Sequence, residues 1–299
     1  TSGKTLTLEN LMLKNGKAEG TAPADCGGAI YTNGGTINIT NCTITGSEAG
    51  NGGAVYACQN STVTMSRGKI CANKASSCGG GMYIHTSTLK LINNALIGGE
   101  QYYADSAPNK VKGNIAENGG GIYFESTGNK TFVMENSTVS FNTADGTLLH
   151  NDSSGGGVTL GSSIEFTMKG GAVKNNKAVS DTGNLCGGGI ALRGTNSKFI
   201  MESGNPEISG NEAVSTSANA SGGGIFVGVT LDIKSGNITG NDAKEGQGVY
   251  VSYSMSSPPN MCMSGSAKID TNNDVYLSGF STNTKIKLDG VLSGVAPVA

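Results

Sequence analysis

The sequence predicts an all-β chain wound into a right-handed parallel β-helix, a solenoid of about nine to ten coils with three short strands per coil. Three observations carry that expectation. Glycine accounts for 48 of 299 residues, more than twice the ~7% usual in soluble proteins. One pattern recurs along the chain: Gly-Gly-(Gly/Ala)-apolar-aromatic-apolar, an alternating stretch, then apolar-x-x-Asn-x-Ala. Within each recurrence the alternating stretch has a strict period of two, the signature of a strand with one buried face.

In chain order, the first apolar position after the glycines falls at Ile30, Val55, Met82, Ile122, Val158, Ile190, Ile225, Val249 and Val275. The spacings are 25, 27, 40, 36, 32, 35, 24 and 26 residues, so the basic unit is about 25. The alternating strand reads Thr5-Leu6-Thr7-Leu8, Thr36-Ile37-Asn38-Ile39, Thr62-Val63-Thr64-Met65, Thr88-Leu89-Lys90-Leu91, Thr230-Leu231-Asp232-Ile233 and Lys285-Ile286-Lys287-Leu288. A third stretch pairs a buried residue with an asparagine: Ile70 with Asn73, Val139 with Asn142, Val173 with Asn176, Ile208 with Asn211, Ile238 with Asn241 and Ile269 with Asn272. One such unit cannot bury its apolar face alone. Units stacked about 4.8 Å apart pair every backbone with the next and enclose a continuous core. The asparagines are expected to form an amide ladder at one corner, because Asn tolerates left-handed backbone and carries both donor and acceptor.

The longer units place extra residues mainly after the Asn-x-Ala corner, at Gly99–Asn118, Asp145–Ser154, Val179–Leu185 and Val214–Ala220, with more near Ser126–Lys130. The main insertions share one position in the repeat, which puts them on one edge of the rod, where solenoids carry binding loops; Ser126–Lys130 falls at the strand-to-strand corner instead. The chain is expected to be a single domain, 1–299, and a fragment of a longer protein, since Thr1-Ser2-Gly3-Lys4-Thr5 runs straight into a strand.

Twenty Lys+Arg against 22 Asp+Glu give a net charge of −2, so no basic face advertises nucleic acid. No run approaches the ~20 apolar residues of a membrane-spanning helix. Seven cysteines without a CxxC pair argue against a zinc knuckle. They read as small residues filling corners and strands, with a Cys71–Cys78 bridge across a corner as the alternative. Cys26 and Cys78 share a repeat position but lie two coils apart, about 9.6 Å, too far for a disulfide.

Catalytic readings find little support. Glu165, Asp232 and Asp289 fall on outward strand positions and Glu135 and Glu202 on the next register, without the convergent pair that glycoside hydrolysis needs. Gly3-Lys4-Thr5 and Gly187-Gly188-Gly189 are followed by strands, not by the helix N-terminus that binds phosphate. Asp270-Thr271-Asn272-Asn273-Asp274 starts like a calcium loop but has Val275 at the glycine position and Ser281 at the terminal glutamate position. His85 and His150 are the two histidines, and neither joins a nucleophilic triad. No cofactor or metal is expected.

The tetrads Gly27-Gly28-Ala29-Ile30 and Gly52-Gly53-Ala54-Val55, with the downstream apolar-x-x-Asn, resemble the GGA[ILV] and FxxN repeats of chlamydial polymorphic membrane proteins. The pattern is also similar to the glycine-rich β-helical repeats of other bacterial surface proteins, within the pectate-lyase-like β-helix superfamily. Ile or Val stands where the chlamydial repeats favour Phe, and most later coils carry GGG. The resemblance implies an exported adhesin or stalk, extracellular or at the cell surface. It would contact a host or neighbouring-cell protein or glycan and be anchored through segments outside this chain. The alternative reading is a β-helix that binds or cleaves polysaccharide. The aromatic of the glycine strand lies between two inward residues and so points outward: Tyr31, Tyr56, Tyr83 and Tyr123, then Thr159 and Ala191, then Phe226, Tyr250 and Tyr276. Tyr31, Tyr56, Tyr83 and Tyr123, with Tyr102 and Tyr103 of the longest insertion, are the candidate binding residues.

Overall fold

The computed structural model describes residues 3–107, 109–148, 153–181, 183–216, 219–252, 260–279 and 285–292. Apart from a three-residue 3-10 turn, Gly146–Leu148, every regular element among them is a strand, and every strand pairing is parallel. The strands that follow the glycines form a nine-stranded sheet, from Ile30–Asn33 to Val275–Leu277. The alternating strands and the short strands after them form a second, 17-stranded sheet. In its last coils the two kinds fuse into single strands, Thr230–Thr239 and Asn260–Ile269.

The expectation of three strands per coil needs correction. A fourth strand follows the asparagine corner, from Glu48–Asn51 to Glu212–Ser215, and builds a six-stranded sheet of its own. It escapes pattern reading because its inward residue is a lone alanine in place of an alternating apolar pair. Ala49, Ala75, Ala116, Ala144, Ala178 and Ala213 are all buried there.

The register follows the repeat alignment. Ile30 pairs with Val55, Met82 with Ile122, Val158 with Ile190 and Val249 with Val275, and all of this column except half-buried Val275 is in the core. Opposite it run Ile37, Val63, Leu89, Phe132, Phe166, Phe199, Leu231 and Met261. Each such side chain contributes roughly 1.5–3 kcal/mol by leaving water. In the central coils the column widens to phenylalanine: Phe132 stacks on Phe166 at 4.1 Å between centroids and Phe166 on Phe199 at 4.6 Å.

The amide ladder exists, with two changes of membership. It runs Asn73, Asn114, Asn142, Asn176, Asn211, Asn241 and Asn273. Asn114 joins because the longest insertion interrupts the pattern between its apolar residue, Ile97, and its asparagine. Asn273 takes the place expected of Asn272, because a turn in which Asn273 N–H donates to Asp270 O lengthens that corner by one residue. From Asn114 onward each Oδ1 accepts from both the backbone N–H and the Nδ2 of the preceding asparagine, at 2.9–3.0 Å for Asn142, whereas Asn73 Oδ1 accepts from Ser47 N–H. Each Nδ2 also donates to a carbonyl of the coil before, as Asn142 does to Ile97 O. The ladder residues are not left-handed; the residue before takes that strain, at Ala72, Phe141, Asn175, Gly210 and Gly240.

The glycine pair after the fourth strand has two separate tasks. Gly52 has φ 64°, where a side chain is strained. At Gly53 a methyl group would overlap the carbonyl oxygen of Gly80 in the next coil. The insertions do not share one corner, contrary to the sequence expectation. Between Gly99 and Gly113 the chain leaves before the fourth strand and is closed by a Gln101–Lys112 bridge. The insertions at Asp145–Ser154, Val179–Leu185 and Val214–Ala220 leave after that strand, where the short strands Ser153–Ser154, Leu185–Cys186 and Ala220–Ser221 pair, and parts of them lie outside the described residues; Ser126–Lys130 lies at another corner, between Ile122–Glu125 and Lys130–Glu135. The loops thus flank the six-stranded sheet on both sides.

Candidate functional site

The outward row of the nine-stranded sheet is a stack of rings. Tyr31, Tyr56, Tyr83 and Tyr123 lie parallel within 6°, with centroids 5.6, 4.9 and 5.2 Å apart. Phe226, Tyr250 and Tyr276 repeat the arrangement at 5.5 and 5.1 Å. These separations are close to the strand spacing of ~4.8 Å, so the rings cover one another's faces and turn their edges to solvent. A ligand ring therefore finds a free aromatic face only where a stack ends. Burial pushes the phenol of Tyr83 well above its usual range, helped by the hydroxyl's bond to Glu125 Oε1. Burial raises Tyr56 and Tyr123 likewise.

Thr159 and Ala191 separate the two stacks. Thr159 Oγ1 donates to Ser154 O at 2.7 Å, so this side chain folds onto the corner and raises no wall beside Tyr123. Two residues further along their strands, Glu125 and Arg193 stand on either side of Gly161. The result is a cavity of about 330 Å³ lined by Tyr123, Glu125, Asn118, Ser154, Thr159 and Arg193 among others. Tyr123 Oη donates to Glu125 Oε2 at 3.5 Å and Ser154 Oγ to Asn118 Oδ1 at 2.8 Å. Arg193 is exposed.

Tyr102 and Tyr103 do not join the stripe. Tyr102 packs edge-on against Phe141 at 5.6 Å, with Lys177 Nζ 5.8 Å from its ring centre, and Lys112 Nζ sits 5.4 Å over Tyr103. These contacts hold the loop against the six-stranded sheet, around the glycine corner from the aromatic row. Both side chains are half-buried, and burial raises both phenols above their usual range. The candidate residues thus form two separate surfaces.

The acidic residues singled out by sequence are dispersed or paired. Asp232 Oδ2 lies 3.2 Å from Lys198 Nζ, and Lys169 Nζ is 3.3 Å from Glu202. Glu165 is exposed opposite Lys198. The seven cysteines form no disulfide, the Cys71–Cys78 pair included. Burial raises the thiols of Cys26 and Cys78 to about 11. Among the described residues no three His, Cys, Asp or Glu side chains gather as a metal site; His150 lies outside them. His85 pairs in register with Glu125 and lies 6.3 Å from the Tyr83 ring.

Glu125, Arg193 and Asn118 are residues that sequence reasoning missed. Their signal was available: Glu125 and Arg193 each stand two positions after an outward residue of the glycine strand, in the units on either side of the one that holds Thr159 and Gly161. Protein-family models, curated proteins and solved structures provide no match to the chain.

Proposed function

We propose that the chain is a non-enzymatic, right-handed β-helix of nine to ten coils, secreted or displayed at a bacterial cell surface as an adhesin or stalk. Its repeats are of the kind carried by bacterial surface proteins, and its partner is a protein or glycan of a host or neighbouring cell. The observation that carries this reading is the division of labour among polar groups. The amide ladder is satisfied within the coils themselves, whereas the loop between Gly99 and Gly113 is held on the flank of a rigid sheet with Tyr102, Tyr103, Lys112 and Lys177 together. Loops of this length cost closure entropy and add little core. Aromatic and cationic side chains on a stiff platform suit recognition.

Adhesion of the purified chain, immobilised on beads, to cultured cells and to an array of glycans tests the reading. A Tyr102→Ala/Tyr103→Ala double variant should lose binding while its melting temperature changes little, since the T-shaped contact to Phe141 is worth only about 0.5–1.5 kcal/mol. A variant that melts lower but binds as before identifies the tyrosines as a cover. The second reading, a polysaccharide-binding or polysaccharide-cleaving β-helix, is favoured on its binding side by the polar cavity at the end of the tyrosine stack. Incubation with pectins, alginates and glycosaminoglycans, with and without Ca²⁺, tests the cleaving side: reducing or unsaturated ends would overturn the non-enzymatic assignment.

A further inference from the structure

The aromatic row is a periodic object, and its interruption leaves a space of defined shape. Tyr123 and Phe226 are three strand spacings apart, about 14 Å, with Thr159 and Ala191 on the strands between. The latter two are buried, at 2% and 0% exposure, so the row itself is closed there; no ring among the described residues stacks on the far face of Tyr123, and the cavity opens beside it toward Glu125, Gly161 and Arg193. At about 330 Å³ it sits at the small end of the ~300–1,000 Å³ typical of small-molecule sites.

The walls are chemically opposed. On one side the Glu125 carboxylate is fixed by the hydroxyls of Tyr83 and Tyr123, and a carboxylate retains further lone pairs for other donors. On the other, Arg193 presents a guanidinium that only donates. Asn118, in the coil of Glu125 at the glycine-corner end of the cavity, accepts from Ser154 through Oδ1, which leaves Nδ2 as a donor. A ring beside Tyr123 therefore meets the Glu125 acceptor at one edge and the Arg193 and Asn118 donors at two others. Vicinal hydroxyls, each both donor and acceptor, satisfy both edges. The C–H face of a sugar ring suits the negative face of the tyrosine. A net charge on the ligand would face Glu125 if negative and Arg193 if positive.

We propose that this cavity is a binding site for one uncharged pyranose unit, stacked on the free face of Tyr123 with its hydroxyls shared between Glu125, Asn118 and Arg193. The proposal rests on the glycan arm of the function above and gives it a place separate from the Tyr102–Tyr103 loop. Two features distinguish it from general surface stickiness. This end of the tyrosine stack opens on a cavity with polar walls, and Glu125 is held in place before any ligand arrives, which lowers the ordering cost of binding.

The test is a titration of the isotopically labelled chain with the methyl glycosides of glucose, galactose, mannose and N-acetylglucosamine, following the backbone amide signals of Thr159, Leu160 and Gly161 by NMR. Methyl glucuronoside serves as the charged control. At least one neutral glycoside should shift these signals saturably in the millimolar range, with the glucuronoside about tenfold weaker. Thr159→Tyr, which continues the stack into the cavity, should abolish the shifts. Arg193→Ala, at an exposed position whose loss leaves the fold intact, should weaken binding about tenfold and keeps the test valid if the tyrosine variant fails to fold. No saturable shift with any neutral glycoside, tighter binding of the glucuronoside, or unchanged binding in both variants overturns the proposal. If the cavity binds no glycoside while beads still adhere to cells, the site fails and the adhesin reading stands. If it binds and the beads adhere to nothing, the adhesin reading fails.

Discussion

Outward and inward aromatic stacks occupy different stretches of the rod, meeting only in the coil that holds both Tyr123 and Phe132. In the coils from Tyr31 to Tyr123 the rings are outside, stacked at 4.9–5.6 Å with Tyr31 still 43% exposed, and the core behind them is aliphatic until Phe124. From Phe132 to Phe199 the rings are inside, fully buried and stacked at 4.1 and 4.6 Å, and the outward positions shrink to Thr159 and Ala191. Both stacks follow from the same parallel register, which puts like residues one strand spacing apart. They differ in what the stacking is for. Inside, ring area leaves water entirely and fills a wider cross-section; outside, stacking only shields neighbouring faces and leaves the edges in water.

Substitutions at the two stacks should therefore separate sharply. Phe166→Ala should lower stability by about 3–5 kcal/mol, measured by denaturant unfolding, because its cavity is walled by Phe132 and Phe199. Asn142→Ala in the ladder should follow, at about 3 kcal/mol. It removes two acceptor contacts from Asn114 and two donor contacts, to Ile97 O and Asn176 Oδ1, and each orphaned buried group costs roughly 1–3 kcal/mol. Tyr56→Ala on the outer stack should cost only about 1–2 kcal/mol. Equal losses for Tyr56→Ala and Phe166→Ala would erase the distinction between the stacks.

Alkali provides a second contrast. The phenols of Tyr56, Tyr83 and Tyr123 are raised by burial, so the folded chain holds protons that the unfolded chain releases near pH 10. Their contribution to stability is complete below that pH and declines as pH rises toward the folded values. Melting temperature should fall above about pH 10, with ionisation of Tyr56, Tyr83 and Tyr123, followed by NMR of their labelled rings, appearing only as the rod opens. Early ionisation of these three in an intact rod would show the stack to be looser than described. The smallest effect concerns thiols. Cys26 and Cys78, raised to about 11, should react slowly with thiol reagents at neutral pH and at full speed after denaturation. Fast labelling of the native chain would place the glycine corner in an open state.

Much of this was legible in the sequence because solenoid positions are copied from coil to coil. The buried column from Ile30 to Val249 and the outward row from Tyr31 to Tyr276 were readable from register alone. What resisted were places where one coil differs from its neighbours in length. Asn114 was hidden by residues inserted between it and Ile97, and Asn273 by a single extra turn residue. The fourth strand was hidden for another reason, since one inward alanine carries too little periodicity to announce a strand. Glu125 and Arg193 occupy a repeat position whose residue type changes from coil to coil, Asn33, Cys58 and His85 standing there in the earlier ones, and their meaning depends on Gly161 standing between them.

The parallel register also decides how the rod answers force. Backbone bonds such as Ile30 N–H to Ala54 O and Val55 N–H to Gly81 O link each coil to the next, along the length of the rod. Tension between its ends therefore falls on these bonds and peels the terminal coil first, while inner coils stay closed. A released coil of 25 residues, the Ile30-to-Val55 spacing, exchanges ~4.8 Å of rod for roughly 85 Å of extended chain. Under shear the molecule is a tether that lengthens in steps, and a contact held at one end is cushioned by the unspooling of the other.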